Sequence, residues 1–221
     1  MGKLISKAAI AKKMDFETKV FEILEALRAG KLIIAGLENG YVLIGDPDSE
    51  IAIEKAKKLR KLDQSTYFPL LFTSISSLQQ YTSELSSAAR LLISNYTPGA
   101  INLVLQSSSA FPWTLGTAAI QESFTVRIPK NKLLRAVIEL AGPLFFTPAR
   151  TAEGSTAMQV TDLLVKFSTG ARYIIDSGKC EASGVATTIS FMEAKPVVVR
   201  EGIIPGYEIR KLVPEIAEVL S

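Results

Sequence analysis

The 221-residue chain has no histidine, one cysteine (Cys180) and one tryptophan (Trp113). Without histidine there is no Ser-His-Asp triad and no Cys-His dyad. A single cysteine builds neither an internal disulfide nor a zinc site of the His/Cys type, and it fits a reducing compartment, the cytoplasm. No apolar run reaches the ~18 residues that cross a bilayer, so no membrane partner is expected. Neither G-x-x-x-x-G-K-[ST] nor G-x-G-x-x-G occurs, so a bound nucleotide must be held some other way. The chemistry left open rests on positioning, lysine and arginine electrostatics, carboxylates or a bound metal. The net charge of +3 argues for no polyanionic partner by itself; its distribution carries more information.

What is present is a chain with 48% hydrophobic and 21% charged residues, enough for a substantial core and incompatible with wholesale disorder. The basic start, "MGKLISKAAIAKKM", has no long apolar stretch after it and reads as a frayed or edge-packed terminus. Asp15 is placed to cap a helix with Phe16, Val20, Ile23, Leu24 and Leu27 on its apolar face, stopped by Gly30. Apolar runs at 31–37 and 41–45 flank the turn signal Glu38-Asn39-Gly40 and read as paired strands. Ser49 opens a helix to about Leu62. Strands are expected at 68–74, 101–106, 124–129, 143–147, 171–176, 186–192 and 196–202. Helices are expected at 75–80, 84–95, 131–140 and 157–168, with a last one through Ile209, Leu212, Ile216 and Leu220 despite Pro214. Residues 107–121 read as a loop. Strands and helices interleave without a linker or a repeat, which points to a single α/β domain with a mixed sheet. The boundaries are a basic extension at 1–14, the domain at 15–206 and a helical tail at 207–221.

Two features carry charge into apolar surroundings. Lys55, Lys57, Lys58, Arg60 and Lys61 crowd one helix end, where a solvated face complementing the helix dipole is the default reading. Lys58 and Arg60 also precede a loop, from which long cationic side chains reach a cleft. Arg127 in "TVRIP" and Arg200 in "VVVREG" each interrupt or end an apolar strand. Such a charge either pairs with a carboxylate or faces a polar cavity that takes an anion. The carboxylate reading serves for either arginine alone. Both arginines together with Lys58 and Arg60 shift the balance toward an anionic ligand.

The ordered segments "KKLRKL…FPLLF", "YTPGAINLVL", "FTVRIP", "GPLFFTPA", "ATTISF" and "PVVVREG" resemble the YrdC/YciO family over roughly residues 18–204, nearest its YciO-like branch. The resemblance implies a twisted open α/β sheet with a concave basic face. It implies ATP with Mg²⁺ and threonine as substrates, with no zinc, haem or flavin. The activity it implies is formation of threonylcarbamoyl-AMP from threonine, bicarbonate and ATP for tRNA modification, and the implied partner is tRNA or double-stranded RNA.

Carried over by position, the family's K-x-R falls on Lys58-Leu59-Arg60 and its R-E-G on Arg200-Glu201-Gly202. These make Lys58, Arg60 and Arg200 the implied ATP-phosphate contacts. R-x-P falls on Arg127-Ile128-Pro129, and S-T-V on Thr187-Thr188-Ile189. The threonine that ends P-G-P-L-T has become Asn102. Two segments depart further. P-T-[DE]-T-x-Y-G-L falls on 37–44, leaving Glu38, Asn39, Gly40 and Val42 in what is a threonine pocket in the family. T-S-A-N falls on Thr147-Pro148-Ala149-Arg150, so a proline and a guanidinium replace a hydroxyl and an amide. The catalytic residue is unassigned. An ATP-dependent synthase, a diverged binding paralogue without chemistry, and an enzyme handling acyl or carbamoyl phosphate with another acceptor all fit these residues.

Overall fold

A computed structural model describes residues 2–6 and 13–217. Among them a mixed sheet of 10 strands runs in the order β1-β8-β2-β3-β7-β4-β6-β5-β9-β10. The strands are β1 Lys3–Ile5, β2 Leu32–Leu37, β3 Gly40–Gly45, β4 Leu70–Leu71, β5 Ile101–Gln106, β6 Ser123–Arg127, β7 Leu144–Pro148, β8 Ala171–Ile175, β9 Thr187–Ser190 and β10 Val197–Arg200. The helices are α1 Lys13–Arg28, α2 Glu50–Arg60, α3 Ile75–Leu78, α4 Ser87–Tyr96, α5 Lys132–Ala141, α6 Val165–Gly170 and α7 Gly206–Leu212. Pairing is parallel for β1/β8, β8/β2, β4/β6 and β5/β9 and antiparallel elsewhere.

The period-2 alternation of strands sends successive side chains to opposite faces. On one face Leu43, Leu103, Phe124, Val126 and Ile189 join a core that runs across the sheet and is covered by α2, α4, α6 and α7. On the other, Ile33, Val42, Ile44 and Phe146 pack under Ile23 and Leu27 of α1 and Leu134 and Val137 of α5. Burying each such side chain stabilises the fold by roughly 1.5–3 kcal/mol. No residue of β5, β6, β9 or β10 joins this second cluster. One face of these strands is thus left for polar side chains, and that is where the site lies.

Local signals explain most boundaries. Ser49 Oγ accepts from Ala52 N–H (3.2 Å) at the start of α2. Asn131 Oδ1 accepts from Leu134 N–H (3.1 Å) at the start of α5, which stops at Gly142. Tyr41 and Val42 face opposite sides of the sheet, as neighbouring strand residues must.

Four expectations need correction. Asp15 is not the cap of α1, because the helix already runs from Lys13; its carboxylate sits in the first turn and complements the dipole. The strand expected at 68–74 pairs regularly only at Leu70–Leu71: Pro69 has no N–H to give, and Phe68 N–H bonds Leu115 C=O in the 107–121 loop (3.0 Å). Residues 157–168 form a short 3-10 turn, Val160–Asp162, and then α6. Asp162 takes the Met158 and Gln159 N–H groups, while Leu164 N–H leaves for Arg150 C=O. The last helix ends at Leu212, ahead of Pro214, and Ala217 then bridges to Val197; Leu220 lies outside the described residues. At the other end, Lys3–Ile5 is a parallel edge strand on β8.

Candidate functional site

Register across the open strands lines up a polar row. Arg127 is opposite Leu71 on β4, Asn102 opposite Thr188, and Thr188 opposite Arg200. Leu103 opposes Val126, which brings Asn102 of β5 beside Arg127 of β6. The row ends in a guanidinium on each side, with an amide and a hydroxyl between them.

The two arginines meet different fates. Arg127 is buried, and three hydrogen bonds hold its guanidinium: Nη2 donates to Glu38 Oε2 and to Asn39 Oδ1 (2.7 Å), and Nε to Gly99 C=O (3.2 Å). The second Glu38 oxygen accepts from Lys130 N–H (2.6 Å). Burial pushes the Arg127 pKa down, and the Glu38 carboxylate opposes that shift. Of the two readings open for Arg127, a carboxylate partner or an outside anion, the structure has the first: its anion is Glu38. Glu38 and Asn39, at positions where the resemblance implies a threonine pocket, are tied up as its partners. Gly40 (φ +140) brings the backbone against Thr156, whose methyl group would lie 2.3 Å from an added Cβ. Val42 packs into the core under α1 and α5. The Glu38 and Asn39 side chains are thus spent on partners within the protein.

Arg200 ends exposed. Its Nη2 donates to Thr188 Oγ1 (3.0 Å) and its Nε to Ala186 C=O (3.2 Å). Asn102 Nδ2 donates to the same hydroxyl (3.3 Å), while Asn102 Oδ1 is buried without a hydrogen-bond partner. Tyr67, Pro69, Asn102, Thr125, Thr188 and Arg200 surround an open cavity of about 330 Å³. Thr187 is not part of it. Its side chain is fully buried, donates to Ile204 C=O (2.6 Å) and accepts from Gly202 and Ile204 N–H groups (both 3.1 Å), pinning the loop after β10. Gly202 is required there because a Cβ would meet Val185 C=O at 2.2 Å.

A second cationic cluster forms at the end of β7. Arg60, on the last turn of α2, donates Nε to Thr147 Oγ1 (3.1 Å). Arg150 stands close by, its Nη1 touching Thr156 Oγ1 at 3.5 Å. Burial, with a smaller contribution from Arg150, pushes the Arg60 pKa down to about 10. Lys58, two residues earlier in α2, is exposed. No hydrogen bond among the described residues joins this cluster to the Arg200 cavity. Tyr67 and Pro69 line the cavity, while Phe68 is buried and stacks on Phe145 of β7 at 4.8 Å. The sequence grouping of Lys58, Arg60 and Arg200 thus resolves into two separate groups.

Sequence reasoning missed three residues. Thr125 and Tyr67 line the cavity, and Thr125 was legible, since it lies two residues before Arg127 on one strand. Lys57 had no such signal. Inside a run that reads as solvated, it is buried, and its ammonium donates to Gly116 C=O, Gln64 C=O (2.7 Å) and Gln64 Oε1 (3.3 Å).

Among the described residues, no helix is long and apolar enough to cross a membrane, and no group of three or more His, Cys, Asp or Glu side chains is placed to hold a metal ion. The Sua5/YciO/YrdC family profile, described as telomere recombination, matches residues 25–202. A protein named putative threonylcarbamoyl-AMP synthase from Methanocaldococcus jannaschii is 23% identical over 188 residues, 85% of this chain and 87% of that one. YciO of Escherichia coli strain K12 is 26% identical over 184 residues, 82% and 88% of the two chains. Among solved structures, Pyrococcus abyssi Sua5 complexed with L-threonine gives a TM-score of 0.84 at 22% identity, over 99% of this chain but only 62% of that one. Escherichia coli YciO gives 0.73 at 24% identity, over 92% and 96%. On the family match, which spans most of the sheet and both cationic clusters, the chain belongs to the Sua5/YciO/YrdC family.

Proposed function

We propose that this chain binds ATP through its phosphates, at the cationic groups of Arg60 and Arg200, and that it has lost threonine as a co-substrate. The observation that carries the reading is the contrast between its arginines. Arg127 is supplied with a carboxylate by the protein, whereas neither Arg60 nor Arg200 has one among the described residues. Guanidinium forks left without a carboxylate beside hydroxyls suit phosphate oxygens. On the threonine side, Glu38 and Asn39 are spent on Arg127, and Pro148 offers neither a hydroxyl nor an N–H. Mg²⁺ enters this reading as part of Mg·ATP, held by the phosphates.

Isothermal titration tests it. The expected result is ATP binding whose affinity does not change when threonine is added. Pyrophosphate release that requires both threonine and bicarbonate would overturn it. That outcome belongs to a second reading, a working threonylcarbamoyl-AMP synthase, which the name of the Methanocaldococcus jannaschii relative favours. In that case the same cations would stabilise charge on the departing pyrophosphate.

RNA is the further partner in this proposal, on the exposed side of the Lys58–Arg60 cluster. Affinity for tRNA or duplex RNA is expected to fall steeply with salt, as counterion release requires. The double substitution Lys58→Ala/Arg60→Ala should weaken binding and flatten the salt slope. Binding that keeps both affinity and slope in this variant would place the RNA elsewhere. The cytoplasm, a reducing compartment, is the setting in this proposal, since a single unpaired cysteine suits it.

A further inference from the structure

A cavity of about 740 Å³ opens between α2 and the 107–121 loop. It is more than twice the size of the one beside Arg200, at about 330 Å³, and shares no lining residue with it. Its walls are held from behind. Gly116 of the loop (φ +94) lies so close to α2 that an added Cβ would meet Lys57 Cε at 2.8 Å and Ile53 Cγ2 at 3.1 Å. The buried Lys57 ammonium donates to Gly116 C=O, Gln64 C=O and Gln64 Oε1, so its donors are spent on the wall. Gln121 Nε2 donates to Thr117 Oγ1 (2.7 Å) and Ala119 C=O (2.9 Å), which braces the loop side. The space is kept open by the fold, and its volume is one that small ligands fill, roughly 300–1,000 Å³.

The free charges on this cavity have one sign. Glu50 and Glu54 of α2 line it, both exposed, and no lysine or arginine does. The loop opposite, 107–121, has no charged residue. Asp63 adds a third carboxylate behind Ser65, accepting from its N–H (2.8 Å) and its hydroxyl (2.7 Å). Glu50 sits in the first turn, where it complements the helix dipole. Glu54 is one turn further in, and neither glutamate forms an ion pair among the described residues. Two carboxylates at i and i+4, with Cβ atoms about 5–6 Å apart, repel each other, and a cation between them reverses that. Among the described residues no group of acidic side chains is placed to hold a metal ion. Ile53 lies on the same helix face as Glu50 and Glu54, and Ala118 and Ala119 line the cavity with it. An apolar strip flanked by two carboxylates fits methylenes that end in ammonium groups.

We propose that this cavity binds a short aliphatic polyamine, with one ammonium group at Glu50, one at Glu54 and the methylenes between them over Ile53. The inference is independent of the nucleotide reading, since none of its residues takes part in the contacts of Arg60 or Arg200. A single ammonium group, such as a lysine side chain of another protein brings, would leave one of the two carboxylates unmatched.

The test uses the full chain without nucleotide, because polyamines also pair with phosphates. Spermidine, 1,4-diaminobutane and n-butylamine are titrated calorimetrically into the wild type, Glu54→Gln and Glu50→Gln/Glu54→Gln, with magnesium chloride as the control for charge alone. Spermidine and the diamine are expected to bind the wild type saturably, and n-butylamine about tenfold more weakly or worse. Glu54→Gln should weaken the diamine by about three- to tenfold, and the double variant should lose saturable binding. Glutamine keeps the shape of glutamate, and no protein partner is lost, so both variants should melt close to the wild-type temperature. Spermidine should raise the melting temperature of the wild type and not that of the double variant. Trp113, buried in the same loop, should change its emission with spermidine in the wild type only. Butylamine binding as tightly as the diamine would overturn the two-ammonium assignment. A thermal shift from magnesium equal to that from spermidine would reduce the effect to charge screening and overturn the site. Spermidine affinity unchanged in the double variant, or absent from the wild type, would overturn the proposal outright.

Discussion

Replacing Glu38 with alanine is expected to destabilise the protein by about 3–5 kcal/mol, the cost of leaving a buried charge without its partner. The Arg127 side chain is 3% exposed and that of Glu38 10%, so neither charge can be returned to water in place. Alanine would leave Arg127 with Asn39 Oδ1 and Gly99 C=O only. It would also free Lys130 N–H, which Glu38 Oε1 accepts just ahead of α5. The pair Glu38→Leu/Arg127→Met should recover most of the loss, because removing both charges removes the unpaired state rather than the bond alone. Urea denaturation of Glu38→Leu, Arg127→Met and the double variant closes the cycle. If Glu38→Ala unfolds at the wild-type midpoint, the ion pair is not what holds the 38–40 turn against β6.

Lys57→Met is expected to cost roughly 3 kcal/mol, in line with losing hydrogen bonds from a charged donor and stranding their acceptors. Methionine nearly matches the lysine stem in volume, so packing changes little. What disappears is the ammonium that gathers Gly116 C=O, Gln64 C=O and Gln64 Oε1. Those contacts tie α2 to the 107–121 loop, beside the Leu115 C=O that holds Phe68 N–H. Trp113 reports on the same loop: it is buried, and its indole N–H donates to Asp48 Oδ1 (2.9 Å). Being the only tryptophan, it should show red-shifted emission in Lys57→Met and a lower melting temperature. Emission and melting both unchanged would show that the loop is held by its aromatic contacts without the lysine.

These two residues show how far the sequence could be read. A buried arginine on β6 is legible, because a charge within an apolar strand must find a partner. Which of the two partners it finds, Glu38 or an outside anion, is not. The two residues are 89 positions apart, and only the antiparallel return of β2 on β3 and the neighbouring end of β6 bring them together. Lys57 is less legible still. Its neighbours Lys55, Lys58 and Lys61 are exposed, and nothing in the run marks the one that turns inward. Helical phase puts it on the face of Ile53, beneath a loop whose course the sequence does not define.

The row Arg127, Asn102, Thr188, Arg200 makes the same point for the site. Each strand could be found from its alternation, and each polar residue stands out in an apolar setting. Their convergence depends on the β6/β5/β9/β10 register, which non-local hydrogen bonds set.

By itself, then, the sequence determined the element types, the caps at Ser49 and Asn131, the alternation that separates Tyr41 from Val42, and the serial motifs that identify the family. Those depend on local periodicity and on residue chemistry at fixed spacing. Tertiary structure alone decided that Arg127 is neutralised from within, that Thr187 is a loop anchor, and that Arg60 meets Thr147 of β7 while Arg200 meets Thr188 of β9. These outcomes depend on which distant backbones approach closely enough for a guanidinium or hydroxyl to be satisfied, and burial makes that satisfaction obligatory without naming the partner in advance.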